Sequence, residues 1–532
     1  MLLHDALFVH AERSPDAQAL SDAKATQPYS RFAGSVQQAA RAIAANALAA
    51  RERVAVYLDK RLETVHALFG ASLAGGVFVP VNPLLKAGQV TYILRDCNVR
   101  MLVTSADRLA GLADALSACP DLHSVLVVGT ESTEEQRLGH VRVLSWEATL
   151  AAAEPASGPV SRRPIDTDMA AILYTSGSTG RPKGVVLSHR NMVAGAESVA
   201  TYLQNRPDDR LLSVLPLSFD YGLSQLTTAF ARGASVVLLN YLLPRDVIKA
   251  VARAGITGLA AVPPLWIQLA QLDWPDEARA SLRYLTNSGG AMPRKTLDAL
   301  RQHLPQAQFY LMYGLTEAFR STYLPPAELN RRPDSMGKAI PNAEIMVVRE
   351  DGSPCAPDEP GELVHRGALV SMGYWNDAER TAERFRPAPG QPEGLPLPEI
   401  AVWSGDTVRR DAEGYLYFIG RQDEMIKTSG YRVSPNEVEE VVYATGMVAE
   451  AAALGIAHPM LGHGIVLVVL GKEATLTSQA LLDALRPRLP AYMLPAHLEV
   501  REQPLPRNAN GKIDRKALAN TFAELFQEGN DR

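Results

Sequence analysis

The chain has 532 residues, 47% of them hydrophobic and 21% charged, with a formal net charge of −5. That length exceeds what one hydrophobic core sustains, so two or more folded units are expected, and the mild negative charge excludes a general attraction to nucleic acid or anionic membrane. Cys97, Cys119 and Cys355 stand far apart with no C-x-x-C pair, which argues against a structural zinc or a disulfide framework and suits a reducing, cytoplasmic setting.

At the N-terminus no basic region precedes the first apolar residues, and Asp5, His10 and Glu12 interrupt them, so no signal peptide is expected. The alanine-rich stretch 35–48 predicts a helix, 54–58 a strand, 63–74 a helix, and 100–104 and 124–128 further strands. Short apolar runs between helices predict α/β layering around a largely parallel sheet. Residues 154–164, rich in Pro, Ser and Arg, read as a linker ahead of a glycine-rich motif. Strand-like runs return at 210–214, 235–239, 282–286 and 308–312. The uncharged stretch 254–272 contains Pro263 and Pro264 and reads as buried core, not as a membrane span. Five prolines between 385 and 400 mark an exposed loop.

Beyond Arg421 the composition becomes that of a small α+β unit. Ser434 is placed to cap a helix that starts at Pro435, Glu437 to complete a capping box, and Gly446 to stop it, with a strand at 464–470 following. The expected fold class is α/β: a large N-terminal domain of layered α/β subdomains with parallel-rich sheets over 1–421, and a small α+β C-terminal domain over 422–532.

The strongest chemical signal is Tyr174-Thr175-Ser176-Gly177-Ser178-Thr179-Gly180-Arg181-Pro182-Lys183-Gly184, directly after the strand-like Ile172-Leu173-Tyr174. A Gly/Ser stretch alone is ordinarily a flexible connection; the preceding strand and the closing lysine single this one out. Its glycines let backbone N–H groups approach a phosphate, its hydroxyls add neutral donors, and Lys183 brings a compact positive charge for a polyphosphate. A Walker A pattern cannot be written here.

This segment resembles the phosphate loop of the adenylate-forming ligase superfamily, which includes acyl-CoA synthetases, the amino-acid-adenylating domains of peptide synthetases, and luciferases. Tyr313-Gly314-Leu315-Thr316-Glu317, Trp403-Ser404-Gly405-Asp406, Gly420-Arg421-Gln422-Asp423 and Asn510-Gly511-Lys512 match its other motifs in the family's order, over most of the chain. The chain as a whole is similar to acyl-CoA ligases associated with exosortase systems and to standalone prolyl–carrier-protein ligases.

The resemblance implies ATP and Mg²⁺ as cofactors. It places the adenine against Gly289, Gly290 and Ala291 with Tyr313 stacked on it, Gly314 in the nucleotide site, Thr316 beside the α-phosphate, and Glu317 on the metal. Asp406 would bind the ribose, with Arg421 touching ribose and phosphate. Asp423 falls at the family's hinge, which makes the small domain mobile, and Gly430 falls beside its pantetheine tunnel. Lys512 would stabilise the first transition state, where a carboxylate meets the α-phosphorus and negative charge concentrates.

For the acid, Pro216-Leu217-Ser218-Phe219-Asp220-Tyr221-Gly222 is the most informative segment. Acyl-CoA synthetases commonly have His where this chain has Phe219, whereas amino-acid-adenylating domains have Phe-Asp, the Asp pairing the α-ammonium. The resemblance places Phe219 and Asp220 in the acid pocket and implies that Ala261, Ser288, Met312 and Arg320 line or approach it, with Arg320 facing Glu317, Asp220 or a polar group of the substrate. No phosphopantetheine site follows Lys516, so the thiol is expected on CoA or on a separate carrier protein. The leading expectation is a small amino acid loaded as a thioester. A fatty or aromatic acyl-CoA synthetase, a catalytically dead relative and a light-emitting oxygenase share these motifs.

Overall fold

The computed structural model describes residues 1–526 apart from 131–134, 154–163, 176–181, 393, 422–423, 429–430, 459–460, 490 and 510. The expected linker lies almost wholly outside the described residues. So do Ser176, Gly177, Ser178, Thr179 and Gly180 of the phosphate loop, Asp423 and Gly430.

The short apolar runs become strands Arg53–Tyr57, Val99–Ser105 and Ser124–Val128, paired in parallel inside an eight-stranded sheet. Antiparallel hairpins close its two edges, one of them Met169–Thr175 with Lys183–Ser188. The first long helix spans Tyr29–Ala45, beginning earlier than its alanine content suggests. Tyr29, Phe32, Val36, Ala39 and Ile43 are all buried and recur every three or four residues, so one apolar stripe sets the helix length.

A nine-stranded sheet has the parallel interior Ser235–Leu238, Arg210–Ser213, Gly258–Ala261, Tyr284–Asn287 and Gln308–Tyr313. Helices pack between the two sheets and share one core. Phe230, on helix Asp220–Arg232, lies 5.1 Å from Phe32 and 5.5 Å from Phe69 between ring centroids. The stretch 254–272 falls into strand Gly258–Ala261 and helix Pro263–Leu269, and among the described residues no helix is long and apolar enough to cross a membrane.

A third, wholly antiparallel five-stranded sheet (Ala343–Val348, Gly361–Gly367, Phe385–Pro387, Ile400–Arg410, Leu416–Arg421) has no counterpart in the sequence expectation. Register shifts at Glu362/Val364 and at Thr407/Val408 break the alternation that would have revealed its strands. The proline-rich loop is correspondingly shorter than expected, because Phe385–Pro387 pairs with 400–402.

Strand Leu416–Arg421 is the last of this sheet, and the next described strand, Ile426–Thr428, belongs to the mixed five-stranded sheet of a separate C-terminal domain. Helix Pro435–Ala444 starts where its proline predicts, but the capping box is not formed. Ser434 is buried and its hydroxyl has no partner among the described residues, since it turns toward strand Leu416–Arg421, 3.5 Å from where a Cβ on Gly420 would sit.

The carboxyl ends of Gly258–Ala261, Tyr284–Asn287 and Gln308–Tyr313 open toward a cavity of about 1930 Å³, lined from the other side by the C-terminal domain. That edge is where open parallel sheets hold ligands, because the loops leaving the strands can diverge there.

Candidate active site

One end of the cavity is a polar cross-strand network. Asp406 and Arg421 face each other on antiparallel strands and form an ion pair at 3.3 Å. The Tyr313 hydroxyl donates to Asp406 Oδ2, Asp406 N–H donates to Ser404 Oγ at 3.0 Å, and Ser404 Oγ–H donates to Leu363 O at 2.7 Å. Burial pushes the Asp406 carboxyl up, with Arg421 and the Tyr313 hydrogen bond opposing. Its Oδ1 is buried and is the oxygen that faces Arg421 Nε at 3.3 Å, but it accepts no hydrogen bond from a described residue, which leaves it able to accept from a ligand hydroxyl. Opposite, Asn287 Nδ2 donates to Gly290 O at 3.0 Å and shapes the turn Ser288–Ala291 at the cavity wall.

Next comes the hairpin that frames the glycine-rich loop. Thr175 and Lys183 are register partners at its mouth. Lys183 Nζ lies 4.8 Å from the Tyr374 ring centroid, and burial lowers its pKa, with Glu317 opposing. The Tyr374 hydroxyl donates to Glu317 Oε1 at 2.6 Å. Backbone bonds Ser371 N to Glu317 O (2.8 Å), Met372 N to Val186 O (2.8 Å) and Trp375 N to Gly184 O (2.8 Å) tie the hairpin to the Thr316–Ala318 turn. Glu317 Oε2 accepts no hydrogen bond from a described residue, which suits one carboxylate oxygen offered to a hard dication that draws its other ligands from phosphates and water. No group of three or more His, Cys, Asp or Glu that could hold a metal occurs among the described residues.

The other end of the cavity holds charges that are poorly partnered. Phe219 precedes helix Asp220–Arg232, and Gly222 is required because a Cβ there would come within 2.0 Å of Pro216 O. Asp220 is buried, accepts from Thr316 Oγ1 at 3.3 Å and forms no ion pair among the described residues. Burial raises its pKa, with Arg320 and Lys512 opposing. Arg320 is also buried and donates through Nη1 to Ser288 Oγ at 3.0 Å, with its guanidinium 4.7 Å from the Tyr221 ring centroid. It pairs with neither Glu317 nor Asp220. Met312 lines the cavity and its sulfur accepts Tyr202 O–H at 2.9 Å. Ala261 is buried beside the cavity-lining Asn287 and is not in the lining itself; its carbonyl accepts the Trp266 indole N–H at 3.0 Å.

Lys512 enters between the two ends on a turn of the C-terminal domain. Lys512 N–H donates to Asn508 Oδ1 (3.1 Å), Arg507 Nη1 to Gly511 O (3.0 Å), and Asn82 Nδ2 of the large domain to Ala509 O (2.5 Å). Gly289, at φ +80°, leaves room for the lysine stem, which a Cβ would meet at 3.0 Å. Lys512 Nζ lies 5.4 Å from the Phe219 ring centroid, and burial lowers its pKa, with Asp220 opposing.

The geometry thus joins Thr175, Lys183, Phe219, Asp220, Ser288, Gly289, Gly290, Ala291, Met312, Tyr313, Gly314, Thr316, Glu317, Arg320, Asp406, Arg421 and Lys512 around one cavity. Sequence reasoning missed Tyr374, Tyr221 and Asn82. The only signal for Tyr221 was its place next to Asp220, and Tyr374 and Asn82 act through contacts remote in sequence.

Residues 7–375 match the family model described as AMP-binding enzyme, and residues 437–512 match AMP-binding enzyme C-terminal domain. The chain is 29% identical over 511 residues to an indoleacetate–CoA ligase of Aromatoleum aromaticum, covering 95% of each. It is 28% identical over 519 residues to gramicidin S synthase 2 of Aneurinibacillus migulanus, a match that takes in 97% of this chain but only 11% of that much longer protein. Its fold is similar to a crystal structure of ATP-bound MatB from Rhodopseudomonas palustris, with a TM-score of 0.85 at 25% identity over 99% of this chain and 100% of that one.

Proposed function

We propose, for a chain that belongs to the AMP-binding enzyme family, that the acid it activates is a small amino acid and that the acceptor is a pantetheine thiol on CoA or a separate carrier protein. The enzyme is an AMP-forming acid–thiol ligase: it makes an acyl-adenylate from a carboxylic acid and ATP and transfers the acyl group to a thiol. A gramicidin S synthase and an indoleacetate–CoA ligase stand at nearly equal identity, so the choice of acid rests on the pocket. Asp220 carries it. A buried carboxylate without a paired cation is costly, and an α-ammonium completes this one.

In the first step a carboxylate oxygen bonds to the α-phosphorus as the bond to pyrophosphate breaks. The Lys512 ammonium stands where negative charge accumulates, with Thr175 and Thr316 as neutral donors and Lys183 toward the outer phosphates. Asp406, through Oδ1, and Arg421 hold the ribose, while Tyr313 and the 289–291 turn hold the adenine. Mg²⁺, when bound, neutralises phosphate charge, and Glu317 is the residue that would hold it. In the second step the thiol sulfur bonds to the acyl carbon, AMP leaves, and the thiol proton passes to solvent. The C-terminal domain, divided from the large one at 421/422, turns between the steps, with Asp423 as hinge and Gly430 beside the thiol.

Acid-dependent ATP–pyrophosphate exchange, run with amino acids, fatty acids and aromatic acids, tests this. Exchange with amino acids is expected; exchange with fatty or aromatic acids alone overturns the amino-acid reading.

A further inference from the structure

Among the described residues, Arg320 is the cation of the acid pocket that the reaction leaves unused. Its position is built in. Phe319 precedes it at φ +57°, a conformation side chains rarely adopt, and its fully buried ring lies where a Cβ on Gly195 would come within 2.5 Å. This reversal turns the chain so that Arg320 runs beneath Gly314 and lines the cavity.

A guanidinium has five N–H donors in a planar fork. In this structure Nη1 meets Ser288 Oγ, the flat face meets Tyr221, and Nε donates to no described residue although it is buried. No carboxylate of the described chain pairs with it. Burying a charge without an opposite partner is among the costliest arrangements in a protein interior. Asp220 faces the same cavity, near enough for Arg320 to favour its charged form, yet the two make no ion pair, and Asp220 has none of its own among the described residues.

In an amino acid, the α-ammonium answers Asp220 and the reacting carboxylate answers Lys512. Arg320 then requires a third group, anionic and planar, to match its fork. We infer that the substrate's side chain ends in a carboxylate held by Arg320, so that the acid is an acidic amino acid. This rests on the amino-acid reading of Asp220, but the two separate experimentally.

The test is pyrophosphate exchange with glutamate and aspartate, their amides glutamine and asparagine, and the amine-free diacids glutarate and succinate. Wild-type enzyme is expected to prefer an acidic amino acid over its amide by at least about tenfold in kcat/KM, the scale of one charge-assisted contact. Arg320→Met is expected to bring that ratio toward one, chiefly through KM. Should Arg320→Met fail to fold, Arg320→Lys keeps the charge, removes the fork, and is expected to lower the same ratio. Equal use of acids and amides by wild type overturns the inference, as does an unchanged ratio in the folded variants. Diacids working as well as acidic amino acids overturn the amino-acid reading while leaving Arg320 its role.

Discussion

The two ends of the cavity differ in how the chain treats its own polar groups. At the Asp406 end all but one acceptor is bound into a ladder: Tyr313, Arg421 and Ser404 each engage Asp406, and Ser404 engages the Leu363 carbonyl, leaving only Asp406 Oδ1 without a hydrogen bond among the described residues. At the Asp220 end a carboxylate and a guanidinium are buried with one neutral hydroxyl partner apiece. A network that is nearly satisfied without ligand presents a fixed surface, suited to the half of the reaction common to the whole family. Charges left short of partners make the fit depend on the ligand, suited to the half that varies. Lys512 stands between them, over the Phe219 ring and beside Gly289, with no ion pair to either carboxylate among the described residues.

The largest effect is expected at that divide. Lys512→Ala should slow adenylate formation by about 10²–10³ while leaving thioester formation from a supplied acyl-adenylate nearly intact, because the lysine serves one domain orientation. Single-turnover assays of each half-reaction measure this, and equal loss of both would erase the division. The pH profile sharpens it. Burial lowers the Lys512 pKa from its ordinary 10.5, against the pull of Asp220, so the ammonium is lost as pH rises through a value below 10.5. Adenylation should therefore show an alkaline limb that thioester formation from supplied adenylate lacks.

Asp220→Asn comes next and acts only at the variable end. Removing one partner of a buried charge pair costs about 2–5 kcal/mol, so kcat/KM for an amino acid should fall roughly 30-fold or more while the Kd for ATP is unchanged. Burial raises the Asp220 pKa above the ordinary 3.8. The carboxylate is lost as pH falls through that raised value, giving the wild type an acid limb that the Asn variant should lack. A loss shared equally by amine-free acids would show that Asp220 shapes the pocket without binding an ammonium.

The two ends were not equally legible in the sequence. Short contiguous motifs such as Trp403-Ser404-Gly405-Asp406 and Tyr313-Gly314 carry the fixed end, because each sits on a strand whose register delivers adjacent residues to one edge. Arg320 was placed near the acid by the family resemblance, but its partner was not readable. The choice between Glu317, Asp220 and the substrate depends on the backbone reversal at Phe319, which no composition signals. Ala261 was expected to line or approach the acid pocket, and it lies buried beside the cavity-lining Asn287 without itself being in the lining. Parallel strands announced themselves as apolar runs, whereas the antiparallel sheet around Asp406 hid behind its bulges.

The smallest effect tests whether the fixed end extends to the metal carboxylate. Tyr374 reaches Glu317 from a segment that backbone bonds staple to the phosphate hairpin, and its ring faces Lys183. Tyr374→Phe keeps the ring and the stapled backbone and removes one hydrogen bond to a carboxylate, worth about 1.5 kcal/mol. If Glu317 receives Mg²⁺, that bond orients its free oxygen, and its loss should raise the half-saturating Mg²⁺ concentration about tenfold with kcat changed less than about twofold and the amino-acid KM unaffected. A titration of exchange rate against Mg²⁺ at saturating ATP reads this directly. An unchanged midpoint would make the contact one of packing alone, and would move Glu317 out of the ordered network and among the groups that wait for their ligand.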